Sequence, residues 1–382
     1  MIAIGGDILP TPTNIEDFIE GNIEKLIGNE LLNILDEVDF TIFNLEGPLT
    51  DSITPISKAG PIISAPTKTT KALKMINPHL FSCANNHIMD HGEPGLKSTM
   101  NVLDKSGISY AGIGQTLDEA KKPYIYEKNG RKIGIYCCTD REFSIASQHF
   151  AGANPFDPFE SFDHIKELNK ECDYIIVLYH GGKEYYRYPS PYLQKICRKM
   201  ADCGADLILC QHSHCIGSKE TWNNGTIIYG QGNFLFNHIE NEYTRTGLLV
   251  KLMFSDHVEI DYIPVVMREG YVRIAKKENS EIIENFFARS EKVADSVYLN
   301  KKFADFSQEK IGDYLIGLKG YRYLRALIRV CFGRKLSKTI AHLYSKGSLV
   351  MIRNFIECEA HREVILTGLS EMEKCKLGKR RQ

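Results

Sequence analysis

The sequence predicts an α/β protein with a largely parallel sheet, followed by a mostly helical C-terminal extension. Three observations predict this class. Short apolar runs typical of buried strands alternate with segments of helical periodicity, which indicates βαβ units. Strand runs such as Tyr174–Leu178 are apolar on both faces, as a covered sheet requires. After about Arg273 the strand pattern stops.

Strands and helices alternate through the first two thirds of the chain. The predicted strands are, in order, Ile2–Gly6, Phe40–Asn44, His79–Ala84, Lys132–Thr139, Asp173–Tyr179, Asp206–Cys210 and Thr226–Gly230. The predicted helices between them are Ile15–Leu35, Lys68–Ile76, Gly95–Ser106, Phe159–Asn169 and Pro191–Cys203. Two later runs, Thr246–Phe254 and Val258–Val266, flank a turn-like Ser-Asp-His tripeptide and predict an antiparallel hairpin.

The C-terminal part of the chain differs in pattern and in charge. Glu281–Val293 is amphipathic, and Phe303–Gln382 is predicted to be mostly helical. We therefore predict one domain over residues 1–275 and a helical, basic extension over residues 276–382, with Lys276–Ser280 as the linker. Between Lys319 and Ile356 there are nine Lys or Arg residues and no Asp or Glu. Such a segment either packs on the main domain with its basic face in water or contacts an anionic membrane surface or polymer.

Composition restricts the class of partner. The 382 residues carry a net charge of −1, which provides no general attraction for nucleic acid, so we predict no nucleic-acid partner. No secretory signal or membrane-spanning run is visible, so we expect a cytoplasmic protein, with peripheral membrane attachment as the alternative. The eleven cysteines lack CxxC spacing and indicate buried, reduced thiols. Cys215, beside two histidines, is an alternative soft metal ligand.

Polar clusters rich in metal-ligand chemistry follow the predicted strands. The carboxyl ends of parallel strands meet at one edge of a sheet, where α/β proteins bind their ligands. Carboxylates, imidazoles and a carboxamide gathered there predict a metal-dependent hydrolase. The clusters are Gly6-Asp7, Asn44-Leu45-Glu46, Asn85-Asn86-His87, His180-Gly181-Gly182, His212-Ser213-His214 and, as a weaker case, Gly232-Asn233-Phe234.

Carboxylates and paired histidines give the clearest metal-ligand signals. Asp7 offers a hard oxygen ligand, and the two oxygens of Glu46 can bridge two cations roughly 3.5–4 Å apart. His212 and His214 stand at positions i and i+2 after a strand, so both rings can reach one centre. Taken singly, Asp7 is also a common turn or cap residue, and Glu46 suits an exposed loop equally well.

Two further clusters add a carboxamide and more imidazoles. His180 precedes two glycines that let the backbone approach a ligand closely. Asn86 offers a neutral oxygen, and His87 is either a ligand or a proton donor that Asp90 can hydrogen-bond. An Asx-capped turn is the structural alternative for this cluster. The weaker candidates for substrate contact are Asn85, Glu184 and Asn233.

In combination, the motifs resemble a known family. The order GD, NLEGPLT, ANNHIMDHG, HGG-E-Y, HSH and GQGNFLF, over about residues 1–266, resembles the poly-γ-glutamate capsule-biosynthesis (CapA-like) family. That family looks like a branch of the calcineurin-like metallophosphoesterases. The resemblance implies a four-layer α/β/β/α metallophosphoesterase-like sandwich, in which two facing mixed sheets carry helices on both outer sides.

The resemblance also implies a binuclear centre that holds one or two divalent ions, of which Mn, Fe or Zn suit the mixed ligands. The residues that would hold metal are Asp7, Glu46, Asn86, His180, His212 and His214. Glu46 would bridge, Asp7 and His214 would hold the first ion, and the other three residues the second. Phosphoesterases usually have a His two residues after the first Asp, where this chain has Leu9. The first ion would therefore lack one nitrogen ligand.

The resemblance further implies metal-assisted phosphoester hydrolysis in capsule or exopolymer metabolism. The substrate would be an anionic polymer or a phosphoester, and His87, oriented by Asp90, would be the general acid. The departure at Leu9 leaves a second class open, a non-catalytic, metal-containing component that binds polymer during assembly. A third alternative is a γ-glutamyl amidohydrolase, because an activated hydroxide can also attack a carbonyl carbon.

Overall fold

The structure is a computed structural model that describes residues 1–58, 60–236, 241, 243–276, 279–318, 344–357 and 369. The chain divides into two compact units, Met1–Lys301 and Lys302–Gln382. The first unit contains both large sheets. The division predicted between residues 275 and 276 stays a prediction. Of the basic segment predicted over Lys319–Ile356, residues 319–343 lie outside the described residues.

One sheet of the first unit combines a parallel centre with an antiparallel edge. Its parallel strands are β1 (Ile2–Ile8), β2 (Phe40–Leu45), β3 (Leu80–Ser82), β4 (Ser109–Ala111) and β13 (Asn233–Leu235). Its antiparallel strands are β14 (Thr246–Phe254), β15 (Val258–Arg268) and β16 (Tyr271–Ile274). The order is β16-β15-β14-β1-β2-β3-β4, and β13 pairs with the carboxyl end of β1. The predicted hairpin is confirmed as β14–β15.

The other sheet has four parallel strands and two antiparallel edges. Its parallel strands are β7 (Arg131–Thr139), β9 (Tyr174–His180), β10 (Leu207–Gln211) and β12 (Gly225–Ile228). The edges are β6 (Tyr124–Lys128) and β11 (Lys219–Trp222), and the order is β11-β12-β10-β9-β7-β6. A short separate pair joins β5 (Ile113–Gly114) to β8 (Gly152–Ala153).

The helices connect these strands and continue beyond them. They are α1 (Ile15–Glu20), α2 (Ile23–Glu37), α3 (Thr70–Met75), α4 (Gly92–Ser106), α5 (Leu117–Ala120), α6 (Ser161–Glu171), α7 (Pro191–Asp202), α8 (Asn279–Ser290), α9 (Ser296–Leu318) and α10 (Lys346–Glu357). The single helix predicted over Ile15–Leu35 was wrong. Gly21 has a φ of 81° and ends α1 as a left-handed cap, a conformation that glycine adopts without strain.

Alternating side chains of the strands build a four-layer sandwich. In β1, Ile2 belongs to the core between the sheets, whereas Ala3 packs with the helices on the outer side. In β9, Ile176 lies in the same inter-sheet core, whereas Val177 packs with residues of α6 and α7. Successive residues of a strand point to opposite faces, so each sheet buries both faces. The predicted α/β/β/α arrangement is confirmed.

The C-terminal part of the first unit also contributes to this core. Phe286 of α8 is fully buried among the inter-sheet residues, and Val293 and Leu299 pack with the outer layer of the second sheet. The predicted linker Lys276–Ser280 includes residues 277 and 278, which lie outside the described part of the chain, and α8 begins within it at Asn279. Among the described residues, the helices lack the combination of length and apolar character that crossing a membrane requires.

We expect the inter-sheet core to supply much of the stability of the first unit. Ile176→Ala removes buried methyl and methylene groups between the two sheets, and we expect it to lower the free energy of unfolding by about 2–5 kcal/mol. Chemical denaturation followed by circular dichroism measures this change. Ile53→Ala is the matched control, because Ile53 is 87% exposed and should change stability by less than about 0.5 kcal/mol. Equal losses in the two variants would contradict the layer assignment.

Candidate metal centre

The carboxyl ends of strands from both sheets meet at one buried cluster of donor atoms. Asp7 lies near the end of β1, Glu46 directly follows β2, and His180 is the last residue of β9. His212 directly follows β10, in which Gln211 is paired with His180 of the neighbouring strand. The six residues predicted to hold metal are all buried: Asp7, Glu46, Asn86, His180, His212 and His214.

Glu46 is the centre of this cluster, and its charge is uncompensated by hydrogen bonds. Its side chain is fully buried, and neither carboxylate oxygen has a hydrogen-bond partner among the described residues, whereas Oδ2 of Asp7 lies 3.2 Å from Nδ1 of His214. Burial, followed by the charge of Asp7, raises the pKa of the Glu46 carboxyl well above its ordinary value. Buried carboxylates are costly unless a partner compensates them. The orphaned oxygens are therefore suited to a cation.

The donor atoms form two groups that share Glu46. One group is Glu46, His180 and His212, and the other is Asp7, Glu46 and His214. Within each group the ligand atoms lie within 4.8 Å of one another. Oε1 of Glu46 is 3.7 Å from Nε2 of His180 and 3.5 Å from Nε2 of His214. Mixed imidazole and carboxylate donors fit Mn, Fe or Zn, so the residues present suit a centre for two divalent ions.

Neighbouring carboxamides orient these ligands. Asn44 donates from Nδ2 to Oδ1 of Asp7 at 2.7 Å, and Oδ1 of Asn233 is 3.0 Å from Nδ1 of His214. Oδ1 of Asn86 lies 3.2 Å from Nε2 of His180, beside the first group. Partners of this kind fix the orientation of ligand rings and carboxylates. The ligand role predicted for Asn86 stays a prediction, now with its oxygen next to the donors.

The three histidines of the centre differ in charge. Burial, together with His212 and other neighbouring histidines, lowers the pKa of His180, and burial with His214 lowers that of His212 to about 4. Burial alone would also lower the pKa of His214, but the carboxylates of Glu46 and Asp7 outweigh it and raise that pKa to about 10. At neutral pH, His180 and His212 therefore present free lone pairs, whereas His214 carries a proton in the metal-free protein.

The predicted acid and its orienting residue also come together. Nδ1 of His87 is 2.7 Å from Oδ2 of Asp90, and both side chains are buried. His87 follows β3 in the turn before α4 and is directly preceded by Asn86, whose Oδ1 is 3.2 Å from Nε2 of His180. This pair is thus placed next to the donor groups. Its catalytic role stays a prediction.

The weaker substrate candidates have different environments. Asn85 is fully buried; its Nδ2 donates to the carbonyl oxygen of Leu45 at 2.7 Å, and its Oδ1 accepts from the His87 amide at 3.2 Å. Asn233 is also buried and contacts His214. These two residues hold the turn and a ligand in place, so the structure gives them a supporting position. Glu184 is exposed, and its charge reaches Glu46 and His212. Substrate contact stays a prediction for all three.

Lys58 and Asn44, to which the sequence analysis gave no individual role, lie beside the centre. Lys58 contacts the His87–Asp90 pair from a loop without periodicity, so no pattern identified it. Asn44 belongs to the Asn44-Leu45-Glu46 cluster, but its hydrogen bond to Asp7 depends on the pairing of β1 with β2. The backbone of Tyr185 has a φ of 59°, in the left-handed region that bulky residues rarely adopt. Leu9 is buried in the outer core, and Cys215 belongs to neither donor group.

Comparisons with known proteins agree with the motif resemblance. A family model described as "Bacterial capsule synthesis protein PGA_cap" matches residues 1–238. The chain is 35% identical over 183 residues to the PGA biosynthesis protein CapA of Bacillus subtilis (strain 168), which covers 47% of each chain. It is 29% identical over 218 residues to the capsule biosynthesis protein CapA of Bacillus anthracis, covering 54% of this chain and 52% of that one. The chain thus spans about half the length of these relatives.

Solved structures resemble this fold more distantly. A putative 5'-nucleotidase from Staphylococcus aureus has a TM-score of 0.40 and 15% identity, covering 75% of this chain and 57% of that one. The NAD nucleotidase of Haemophilus influenzae has a TM-score of 0.42 and 15% identity, covering 82% and 67%. At these scores the likeness is weak.

Removal of the shared carboxylate should abolish metal binding at both groups. We expect Glu46→Ala to lower affinity for Zn²⁺ or Mn²⁺ by more than the roughly 10–100-fold that loss of an outer hydrogen-bond partner costs. Elemental analysis after dialysis against each metal measures the change. Glu184→Ala is the matched control, because this exposed carboxylate belongs to neither donor group and the variant should keep its metal. Full metal content in Glu46→Ala would contradict the shared position.

Metal binding should release protons. His214, with a pKa of about 10, must lose its proton to become a ligand, whereas His212, with a pKa of about 4, is already neutral at pH 7. Affinity should therefore rise with pH from about 6 to about 9, because fewer protons then compete for His214. Calorimetric titration in two buffers of different ionisation enthalpy measures the proton release. Unchanged or falling affinity over this range would contradict the charge assigned to His214.

Proposed function

This chain belongs to the bacterial capsule synthesis protein family described as PGA_cap, and on that premise we propose that it is a metal-dependent hydrolase of the phosphoester type. We propose that it acts in capsule or exopolymer metabolism, in which the polymer is poly-γ-glutamate or a polysaccharide. The names of two relatives, PGA biosynthesis protein CapA and capsule biosynthesis protein CapA, support the setting. The reaction itself is proposed from the geometry of the donor groups.

One observation carries the proposal: a fully buried glutamate is shared by two sets of ligand atoms. Neither oxygen of Glu46 has a hydrogen-bond partner among the described residues, and each group adds histidine nitrogen. A protein that needed Glu46 only for stability would pair its oxygens, because an unpaired buried carboxylate weakens the fold. The arrangement instead supports a catalytic centre that spans two ions.

Different residues of the chain would bind the metal ions and transfer the proton. His180 and His212 offer neutral nitrogens on one side of Glu46, and Asp7 and His214 offer oxygen and nitrogen on the other. When bound, divalent cations at such a centre supply Lewis acidity and activate water. His87 holds a proton for the leaving oxygen of the substrate, and Asp90 fixes the orientation of its ring at 2.7 Å.

A specific observation favours a second candidate function. Leu9 is buried in the core, so the Asp7 group has only the three residues Asp7, Glu46 and His214 among the described His, Cys, Asp and Glu side chains. We propose as the alternative a non-catalytic component that holds an anionic polymer through its metal. The basic composition of Lys319–Ile356 supports an anionic polymer or membrane surface as partner. A γ-glutamyl amidohydrolase is the remaining enzymatic alternative.

We expect His87→Ala to lower the rate of phosphoester hydrolysis by about 10²–10⁴-fold, because general acids contribute that much. Metal content should stay near that of the unchanged protein, since His87 belongs to neither donor group. The measurement is release of nitrophenol from aryl phosphate monoesters and diesters by the metal-loaded protein, with elemental analysis beside it. Loss of metal in proportion to activity would make His87 a ligand instead of the acid.

The same assay separates the proposed functions. His212→Ala is expected to lose phosphoester turnover together with metal, because His212 is in a donor group. Turnover of γ-glutamyl peptides and not of phosphoesters would support the amidohydrolase. Sedimentation with poly-γ-glutamate and no turnover of either substrate would support the binding component.

A further inference from the structure

A loop of residues 51–64 is attached to the turn that carries His87. The described residues of this loop form no regular helix or strand. The amide of Ile56 donates to the carbonyl oxygen of Asp90 at 3.0 Å, and the amide of Ile63 donates to Oδ2 of Asp90 at 2.8 Å. Thr54 makes two more bonds, from its amide to Nδ1 of His91 at 3.0 Å and from its hydroxyl to the His91 carbonyl at 2.7 Å. The consecutive residues Asp90 and His91 therefore hold the loop.

Lys58 extends from this loop into the same turn. Its side chain is only 2% exposed, and its Nζ is 2.5 Å from Oδ1 of Asp90, whose side chain is fully buried. Nζ also donates to the carbonyl oxygen of Asn86 at 3.3 Å and lies 3.2 Å from Nδ1 of His87. Lysine usually keeps its ammonium in water, and a buried one needs paired charge. A buried cation in contact with both members of a proposed catalytic pair is placed to act through that pair.

The donors around Asp90 determine which nitrogen of His87 carries a proton. An ionised carboxylate only accepts hydrogen bonds. Oδ1 of Asp90 accepts from Lys58, and Oδ2 accepts from the Ile63 amide and from Nδ1 of His87. Nδ1 of His87 must therefore bear hydrogen, which leaves Nε2 as the nitrogen that exchanges a proton with a reacting group. Because both oxygens are engaged, Asp90 cannot rotate away from His87 without breaking bonds to the loop.

We propose that Lys58 is a positioning residue for His87. By occupying Oδ1 of Asp90 it holds that carboxylate, and the 51–64 loop with it, in the one orientation that fixes the ring and tautomer of His87. This inference rests on the proposed function, because the orientation of His87 affects a rate only where His87 transfers a proton. The loop, whose sequence carries no pattern that predicts a function, then has a part in catalysis.

The test compares Lys58→Met and Lys58→Arg with the unchanged protein. The matched control is Lys97→Met, because Nζ of Lys97 is also 2.5 Å from a carboxylate, that of Glu93, but on the exposed surface of α4. Three readouts are combined: amide hydrogen exchange at Ile56 and Ile63, nitrogen-15 shifts of the His87 ring assigned against His87→Ala, and kcat and KM on nitrophenyl phosphate esters. Elemental analysis shows whether each variant keeps its metal.

We expect Lys58→Met to lower kcat by roughly 10–100-fold with KM and metal content unchanged, as losses of orienting partners do. Exchange at Ile56 and Ile63 should accelerate at least about 10-fold, and the His87 ring should lose its single Nδ1–H tautomer. Lys58→Arg keeps a charged donor for Asp90 and should restore part of kcat. Lys97→Met should match the unchanged protein in every readout.

Two results would overturn the proposal, whatever the catalytic rate. One is a Lys58→Met protein with unchanged exchange and ring shifts, and the other is a His87 ring whose Nδ1 lacks hydrogen in the unchanged protein. The second measurement needs no Lys58 variant, so it decides the matter even if Lys58→Met fails to fold. If the unchanged protein hydrolyses neither ester, the proposed function fails separately, while exchange and ring shifts still test the position of Lys58.

Discussion

Burial of the Glu46 carboxylate is the constraint on which the site depends. The residue directly follows a parallel strand, and the sandwich closes around it so that its oxygens meet histidines from the other sheet. The packing that brings the two sheets together removes water from this carboxylate, and no hydrogen bond from the described residues replaces it. Charge compensation must then come from the histidines and from a bound cation.

The same constraint explains how the histidines differ. Glu46 and Asp7 stabilise a proton on His214, whereas His180 and His212 are left neutral by burial. A chain that held these rings without the carboxylates would keep all of them neutral, because desolvation disfavours the charged form. The centre is thus an electrostatic unit in which one carboxylate determines both the affinity for cations and the protonation of its neighbours.

Several residues around the centre have backbone conformations that residues other than glycine rarely adopt. His212, His214 and Tyr185 all have positive φ values, and the Tyr185 amide donates to the Ser213 carbonyl oxygen at 2.9 Å. Residues other than glycine adopt this region at a cost, which surrounding structure must offset. Here strand β10, which ends directly before His212, and the bond between Tyr185 and Ser213 provide that support. The loop of residues 51–64 is held instead by hydrogen bonds to Asp90 and His91. The His87 side of the site therefore depends on the hydrogen bonds of this loop.

Local patterns in the sequence were enough to predict strands and candidate donors, whereas the four-layer arrangement was implied by the family resemblance. Strand periodicity predicted β9 and β10, and chemistry at strand ends predicted Asp7, Glu46, His180 and His212 as donors, because parallel strands end at one edge of a sheet. The hydrogen-bond partners of those donors follow from tertiary packing. The contact of Asn233 with His214 depends on β13 pairing beside β1, and that of Lys58 with Asp90 on a loop without periodicity. The physical reason is that strand and helix periods are local properties of the chain, whereas a side-chain hydrogen bond depends on how distant segments pack.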